Sequence, residues 1–155
     1  MKAPFIPACR SLALAFVCIL MGACTQNDGH IGKIFGSWSL SLMTIDGEER
    51  QLGDGEFSTM SFQGDIVMFV LADQLHNSVK SYGTWRMTDN ILSLDFNHSS
   101  DGFPTGTGVF APPAWLYMPD GVSDYQITKF TSDRLELLRV AEDGRIYIYK
   151  FKKTW

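Results

Sequence analysis

The chain has 155 residues, 45% of them hydrophobic and 19% charged, with a formal net charge of −4. That size and apolar content fit one globular domain with one good core. An acidic chain without a basic stripe is a poor candidate for binding nucleic acid or an anionic membrane surface, and no nucleic-acid partner is expected.

Lys2 and Arg10 precede the first acidic residue, Asp28, and residues 12–21 form an apolar run that leads into Gly22-Ala23-Cys24. A basic head, a short apolar middle and small residues before a cut site describe a secretory signal. The middle is too short to span a bilayer, which takes roughly 20 apolar residues. With cysteine directly after Gly22-Ala23, the stretch resembles a bacterial lipoprotein signal. The resemblance implies that residues 1–23 are removed and that Cys24 is acylated, so that the protein is lipid-anchored in the cell envelope. Thr25, where an aspartate would signal inner-membrane retention, points to the outer membrane; periplasmic or surface orientation stays open. Cys9 and Cys18 would leave with the signal and Cys24 would be consumed by its lipid. The domain would then have no disulfide and no thiol chemistry, and would stand on apolar packing.

Residues 24–34 are polar and aperiodic and read as a short tether, with the domain occupying 35–155. From Gly36 the pattern alternates strictly, with Trp38, Leu40 and Leu42 on one face and Ser37, Ser39 and Ser41 on the other, as in a half-buried strand. Gly64-Asp65 suits a two-residue hairpin loop that faces Phe62 to Val67 and Gln63 to Ile66. This register gathers Met60, Phe62, Val67, Phe69 and Leu71 on one face. It leaves Ile66, Met68 and Val70 on the other, an apolar outer set that calls for a cover. A turn at Asp89-Asn90 pairs Met87 with Leu92 and Trp85 with Leu94, and sets Gly83 opposite Phe96. At the last hairpin, a three-residue loop with left-handed Gly144 pairs Leu135 with Phe151, Glu136 with Lys150 and Leu137 with Tyr149. That leaves Leu138, Val140, Ile146 and Ile148 as an outward apolar patch. For residues 125–130 two registers compete. One faces Phe130 to Leu135, the other faces Ile127 to Leu137, and a bulge would reconcile them.

Residues 97–123 form one long irregular segment containing Pro104, Pro112, Pro113 and Pro119. Its apolar content, including Phe103, Phe110, Trp115, Leu116 and Tyr117, argues for a covering loop or short helix. The whole pattern predicts an all-β fold, an eight-stranded antiparallel up-and-down barrel with this Pro-rich segment inserted between strands five and six. Gly36-Ser37-Trp38 opening the first strand, Gly83-Thr84-Trp85 with Leu92-Ser93-Leu94, Tyr125-Gln126-Ile127 with Leu135-Glu136-Leu137, and an aromatic last strand over 147–151 together resemble the lipocalin-like lipoproteins of Bacteroidetes-type bacteria. The resemblance covers nearly all of 35–155. It implies a cup for a small apolar or amphipathic ligand.

In these registers Trp38, Phe62, Phe69, Trp85, Leu94 and Tyr149 face inward as candidate ligand contacts, though such side chains equally fill a small barrel and Trp38 reads first as a plug. Phe103 and Trp115 are the candidate lid residues. His30, His76 and His98 have no metal-ligand spacing, so neither a metal nor a cofactor is expected. His98 with Asp95 and Asp101 comes nearest to an acid/base group. Alternation turns Asp95 outward, turn chemistry accounts for Asp101-Gly102, and Ser99-Ser100 lacks a nucleophile elbow. No convergent polar group is expected inside the cup, hence no enzyme activity. The competing reading is a filled barrel that docks an envelope protein through its outer face.

Overall fold

The computed structural model describes residues 29–97 and 110–155. Cys24, His98, Ser99, Ser100, Asp101, Phe103 and Pro104 lie outside the described residues. The strands are β1 (Gly36–Ile45), β2 (Glu48–Glu49), β3 (Phe57–Gln63), β4 (Ile66–Ala72), β5 (Ser78–Thr88), β6 (Ile91–Asp95), β7 (Val122–Phe130), β8 (Arg134–Val140) and β9 (Ile146–Lys153). Each pairs antiparallel with its neighbour, and β9 returns to β1. Eight strands therefore close a barrel, and β2 is a two-residue addition against the end of β1. No helix among the described residues is long and apolar enough to cross a membrane.

Turn chemistry sets the three hairpin registers as expected. Phe62 faces Val67 and Gln63 faces Ile66, Met87 faces Leu92 and Trp85 faces Leu94, and Leu137 faces Tyr149 with Glu136 opposite Lys150. In the last hairpin Gly144 has φ 85° and its N–H donates to Ala141 O at 2.9 Å, so the loop holds three residues and the apolar side chains of β8 and β9 share a face. Gly83 is needed for space: a Cβ there would come within 2.8 Å of the Phe96 ring.

Two bulges decide the remaining parity. Along β1, Leu40 faces Phe151 but Leu42 faces Lys150, so one extra residue is accommodated at Ser41. Leu42 is thereby turned off the inward face on which alternation placed it, and Met43 and Ile45 are buried instead. On β7 both competing registers are present at once. Ile127 faces Leu137, Phe130 faces Leu135, and Thr128 is the extra residue between them. Each bulged residue carries a hydroxyl that donates to the facing strand, Ser41 Oγ to Lys150 O at 2.9 Å and Thr128 Oγ1 to Glu136 O at 3.3 Å.

One end of the barrel is closed by tight turns and by both ends of the domain. Trp38 is fully buried there, with Nε1 donating to Ile34 O at 2.8 Å and its ring 6.3 Å from that of Phe130. The Ser37 N–H donates to Trp155 O and the Thr154 N–H to Ser37 O, while Phe35 meets the Trp155 ring edge-on at 6.1 Å. Gly36, at φ 117°, sits where any Cβ would strike the Trp155 carbonyl. That explains why glycine stands two residues before the tryptophan. On the outer wall, Ile66, Met68 and Val70 are half-buried, and Val140 and Ile146 are 60% and 42% exposed.

Candidate functional site

The opposite end is where β6 stops and β7 begins. Inward positions there are polar as well as apolar: Ser58 on β3, Ser81 on β5, Tyr125 on β7, Arg139 on β8, and Tyr147 and Tyr149 on β9. Across them lies the stretch from Phe110 to Met118. Pro112-Pro113 leads into a short 3-10 turn, Ala114–Leu116, because a proline before the first turn needs no N–H partner and fixes φ near its helical value. The turn is closed by the Leu116 N–H to Pro113 O and the Tyr117 N–H to Ala114 O, and ends with Tyr117 in the left-handed region.

Four side chains of the barrel hold this stretch. Ser81 Oγ donates to Ala111 O. Trp115 Nε1 donates to Ser58 Oγ at 3.0 Å. Tyr149 OH donates to Leu116 O at 2.8 Å, and Arg139 Nη2 to Tyr117 O at 3.2 Å. Leu116 and Met118 are buried in the main core, against which Trp115 is partly packed.

The electrostatics of this end centre on Arg139. Its guanidinium carbon lies 4.3 Å from the centre of the Tyr147 ring, a cation–π arrangement, and its Nε is buried without a hydrogen-bond partner among the described residues. Burial pushes the Tyr125 phenol up to about 12, against a smaller opposite effect of the Ser123 hydrogen bond and then of the Arg139 charge. Burial first, and then the neighbouring Tyr125, raises Tyr149 as well. Both phenols are therefore neutral hydroxyls at ordinary pH. Arg145 reaches the same Tyr147 ring at 6.0 Å but is tied to Asp143 at 2.6 Å. A groove of about 610 Å³ opens beside Arg139, Tyr147 and Ser123, and exposed Asp120 and Glu142 stand on its rim.

Among the side chains expected to face inward, Trp38, Phe62, Phe69, Leu94 and Tyr149 are fully buried and packed in one core, and Trp85 is half-buried against it. They occupy different levels of the barrel. Phe62 meets Trp85 edge-on at 5.1 Å, Phe69 lies beside Phe96 at 6.2 Å, and Tyr149 meets Tyr125 at 6.0 Å. Trp115 is brought to the barrel mouth, whereas Phe103 lies outside the described residues. His76 is exposed in the β4–β5 loop, and Asp95 is on an outward position where it accepts the Asn97 N–H. The expectation of an interior without convergent polar groups is corrected: Arg139 and three tyrosines meet at the mouth. The signal was present in the alternation, since Arg139 shares the face of Leu135 and Leu137.

Among solved structures, the chain is similar to a lipocalin-like protein from Bacteroides uniformis ATCC 8492, with a TM-score of 0.55 and 15% identity over 79% of this chain and 99% of that one. The fold is lipocalin-like. An uncharacterized protein from Bacteroides eggerthii DSM 20697 also aligns, with a TM-score of 0.49 and 18% identity over 77% of this chain and 98% of that one. No family model and no curated protein sequence matches the chain. The likeness of the lipocalin-like barrel to the Bacteroides uniformis protein agrees with the resemblance carried by Gly36-Ser37-Trp38 and the strand motifs after it.

Proposed function

We propose that this protein is an envelope lipoprotein whose lipocalin-like barrel binds a small apolar or amphipathic ligand at its open end. The observation that supports this most is the way that end is filled. Residues 111–117 fill it as a plug, seated by four side-chain hydrogen bonds: Ser81, Tyr149 and Arg139 donate to the carbonyls of Ala111, Leu116 and Tyr117, and Trp115 donates to Ser58. Strands are locked by ladders, whereas a segment held in this way can give up its place at a cost of about 1 kcal/mol per bond, provided the ligand's apolar surface replaces the buried Leu116 side chain. In this reading the segment from Phe103 through Trp115 acts as the lid, and Leu116 occupies ground that an apolar ligand would take.

The signal-like stretch ending at Cys24 supports the anchoring. Acylation of Cys24 holds the cup at a membrane, with the outer membrane the preferred site because Thr25 follows the cysteine. Two or more acyl chains hold a protein stably where one does not, so a cup tethered in this way works locally at that surface. Intact-mass analysis of protein purified from its own cells should find the chain beginning at a lipid-modified Cys24. An unmodified chain that retains residues 1–23 would end the anchoring proposal.

Ligand binding is tested on the mature chain, residues 24–155, carrying Cys24→Ser. Titration with the neutral apolar probe N-phenyl-1-naphthylamine should give saturable fluorescence with a change in tryptophan emission, since Trp115 sits in the plug. A linear, unsaturable response would remove the reading. A second reading, docking of an envelope protein through the outer wall, is favoured by one observation. Val140 and Ile146 stand exposed beside half-buried Leu138 and Ile148.

A further inference from the structure

We infer that the open end is a carboxylate site, and that the ligand is an amphiphile with a single carboxylate whose oxygens replace the backbone carbonyls of Leu116 and Tyr117. This rests on the cup-binding reading and deepens it.

Two donors from adjacent strands, Tyr149 OH and Arg139 Nη2, converge on two successive carbonyl oxygens, at 2.8 Å and 3.2 Å. A neutral carbonyl is a weak acceptor for a guanidinium; a carboxylate makes hydrogen bonds roughly twice as strong. Arg139 is also under-used. Its Nε is buried with no acceptor among the described residues, and a buried donor without a partner costs about 1–3 kcal/mol. No carboxylate among the described residues is ion-paired to it; the nearby Asp143 is spent on Arg145 and Asp124 accepts the Ser93 hydroxyl. The plug thus occupies the two donors without satisfying the charge.

The apolar half of the ligand has a matching place. The Leu116 side chain, fully buried in the core while its carbonyl accepts from Tyr149, holds the place we assign to the start of a hydrocarbon chain. The backbone bonds described for the turn are its own, Leu116 N–H to Pro113 O and Tyr117 N–H to Ala114 O. The turn can therefore leave as a unit without opening any strand pair.

Charge sets the head group. With Arg145 neutralised by Asp143, one guanidinium, Arg139, offers a single positive charge, and the rim beyond it carries Asp120, Asp124 and Glu142. A monoanion suits that balance; a phosphate dianion meets repulsion from the rim.

The test uses the mature chain, residues 24–155, with Cys24→Ser. It compares 11-(dansylamino)undecanoic acid with its methyl ester, which share a chain and differ in charge. The acid should bind at least about tenfold more tightly than the ester. Arg139→Met should weaken the acid by about ten- to a hundredfold, the factor carried by one charge-assisted hydrogen bond, and leave the ester unchanged. Tyr149→Phe, a variant that keeps the ring and the packing, should weaken the acid by about fivefold and the ester not at all. Circular dichroism and thermal melting check that each variant folds; if Arg139→Met does not, Tyr149→Phe and Arg139→Lys decide. Equal binding of acid and ester by the unaltered site, or equal losses for both in the variants, would overturn the carboxylate site while leaving a binding cup. Dodecyl phosphate competing as well as dodecanoate would overturn the monoanion assignment. Binding of neither probe would remove the cup and this site together.

Discussion

The two ends of the barrel are built from opposite materials. At the closed end an indole, Trp38, is locked by its own hydrogen bond and by the crossing of the first and last strands. There the Ser37 N–H donates to Trp155 O and the Thr154 N–H to Ser37 O. At the open end a loop segment does the filling, held by four side-chain bonds above a guanidinium whose Nε has no acceptor among the described residues. In the proposed reading the plug gives way to a ligand while the closed end stays, so stability and binding should separate along the barrel axis.

The sharpest way to break that contrast is Trp38→Ala. Removing a fully buried indole should cost about 3–5 kcal/mol in urea unfolding. A loss under about 1 kcal/mol would mean that the closed end is not the keystone. Alkaline pH should act on the other end. The Tyr125 phenol is held protonated in the fold up to about 12 and ionises near 10 when unfolded. The unfolded chain then binds fewer protons, so the contribution is intact below pH 10 and lost as pH rises from 10 towards 12, on the order of 2–3 kcal/mol. Chemical denaturation at pH 9 and pH 11.5 reads this directly, and a flat profile would contradict the burial of that hydroxyl. Tyr149→Phe removes one bond to the plug and should cost about 0.5–1.5 kcal/mol in the same assay. It should also speed hydrogen exchange at the Leu116 and Tyr117 amides without changing the β1–β9 ladder; a matching acceleration in β1 would show that the two ends are coupled. The smallest effect is expected from Ile146→Lys on the exposed wall, within about 0.5 kcal/mol. A larger loss in a monomer would show that this wall is covered by the protein's own chain.

Much of this was legible in the residues. The three hairpins could be registered because the pairing of side chains selects among the loop lengths open to each: at the last one a two-residue loop would set Leu137 against Lys150, whereas the three-residue loop with Gly144 pairs Glu136 with Lys150. The bulges were harder. At Thr128 the sequence carried two incompatible parities, which is itself the mark of an extra residue. At Ser41 the alternation of serine and leucine ran on unbroken past the point where the chain bends, because that bulge is set by β9, a partner more than a hundred residues away. The open-end site was missed for a different reason. Inward faces were read by their apolar members, so Arg139 and Ser58 were passed over although their parity was fixed by Leu137 and Met60.

The seam between β1 and β9 also governs when the barrel can form. Thr154 and Ser37, which meet across it, are 117 residues apart in sequence. β1 presents one row of its ladder groups to a strand that follows it by more than a hundred residues. Until it arrives, the first strand is an open template for pairing with another chain. The entropy of bringing the two ends together must be met before any of the seam's hydrogen bonds form, which places this barrel among the slow folders of high contact order. The same seam then works in reverse: unfolding from the closed end requires the whole first–last ladder to open.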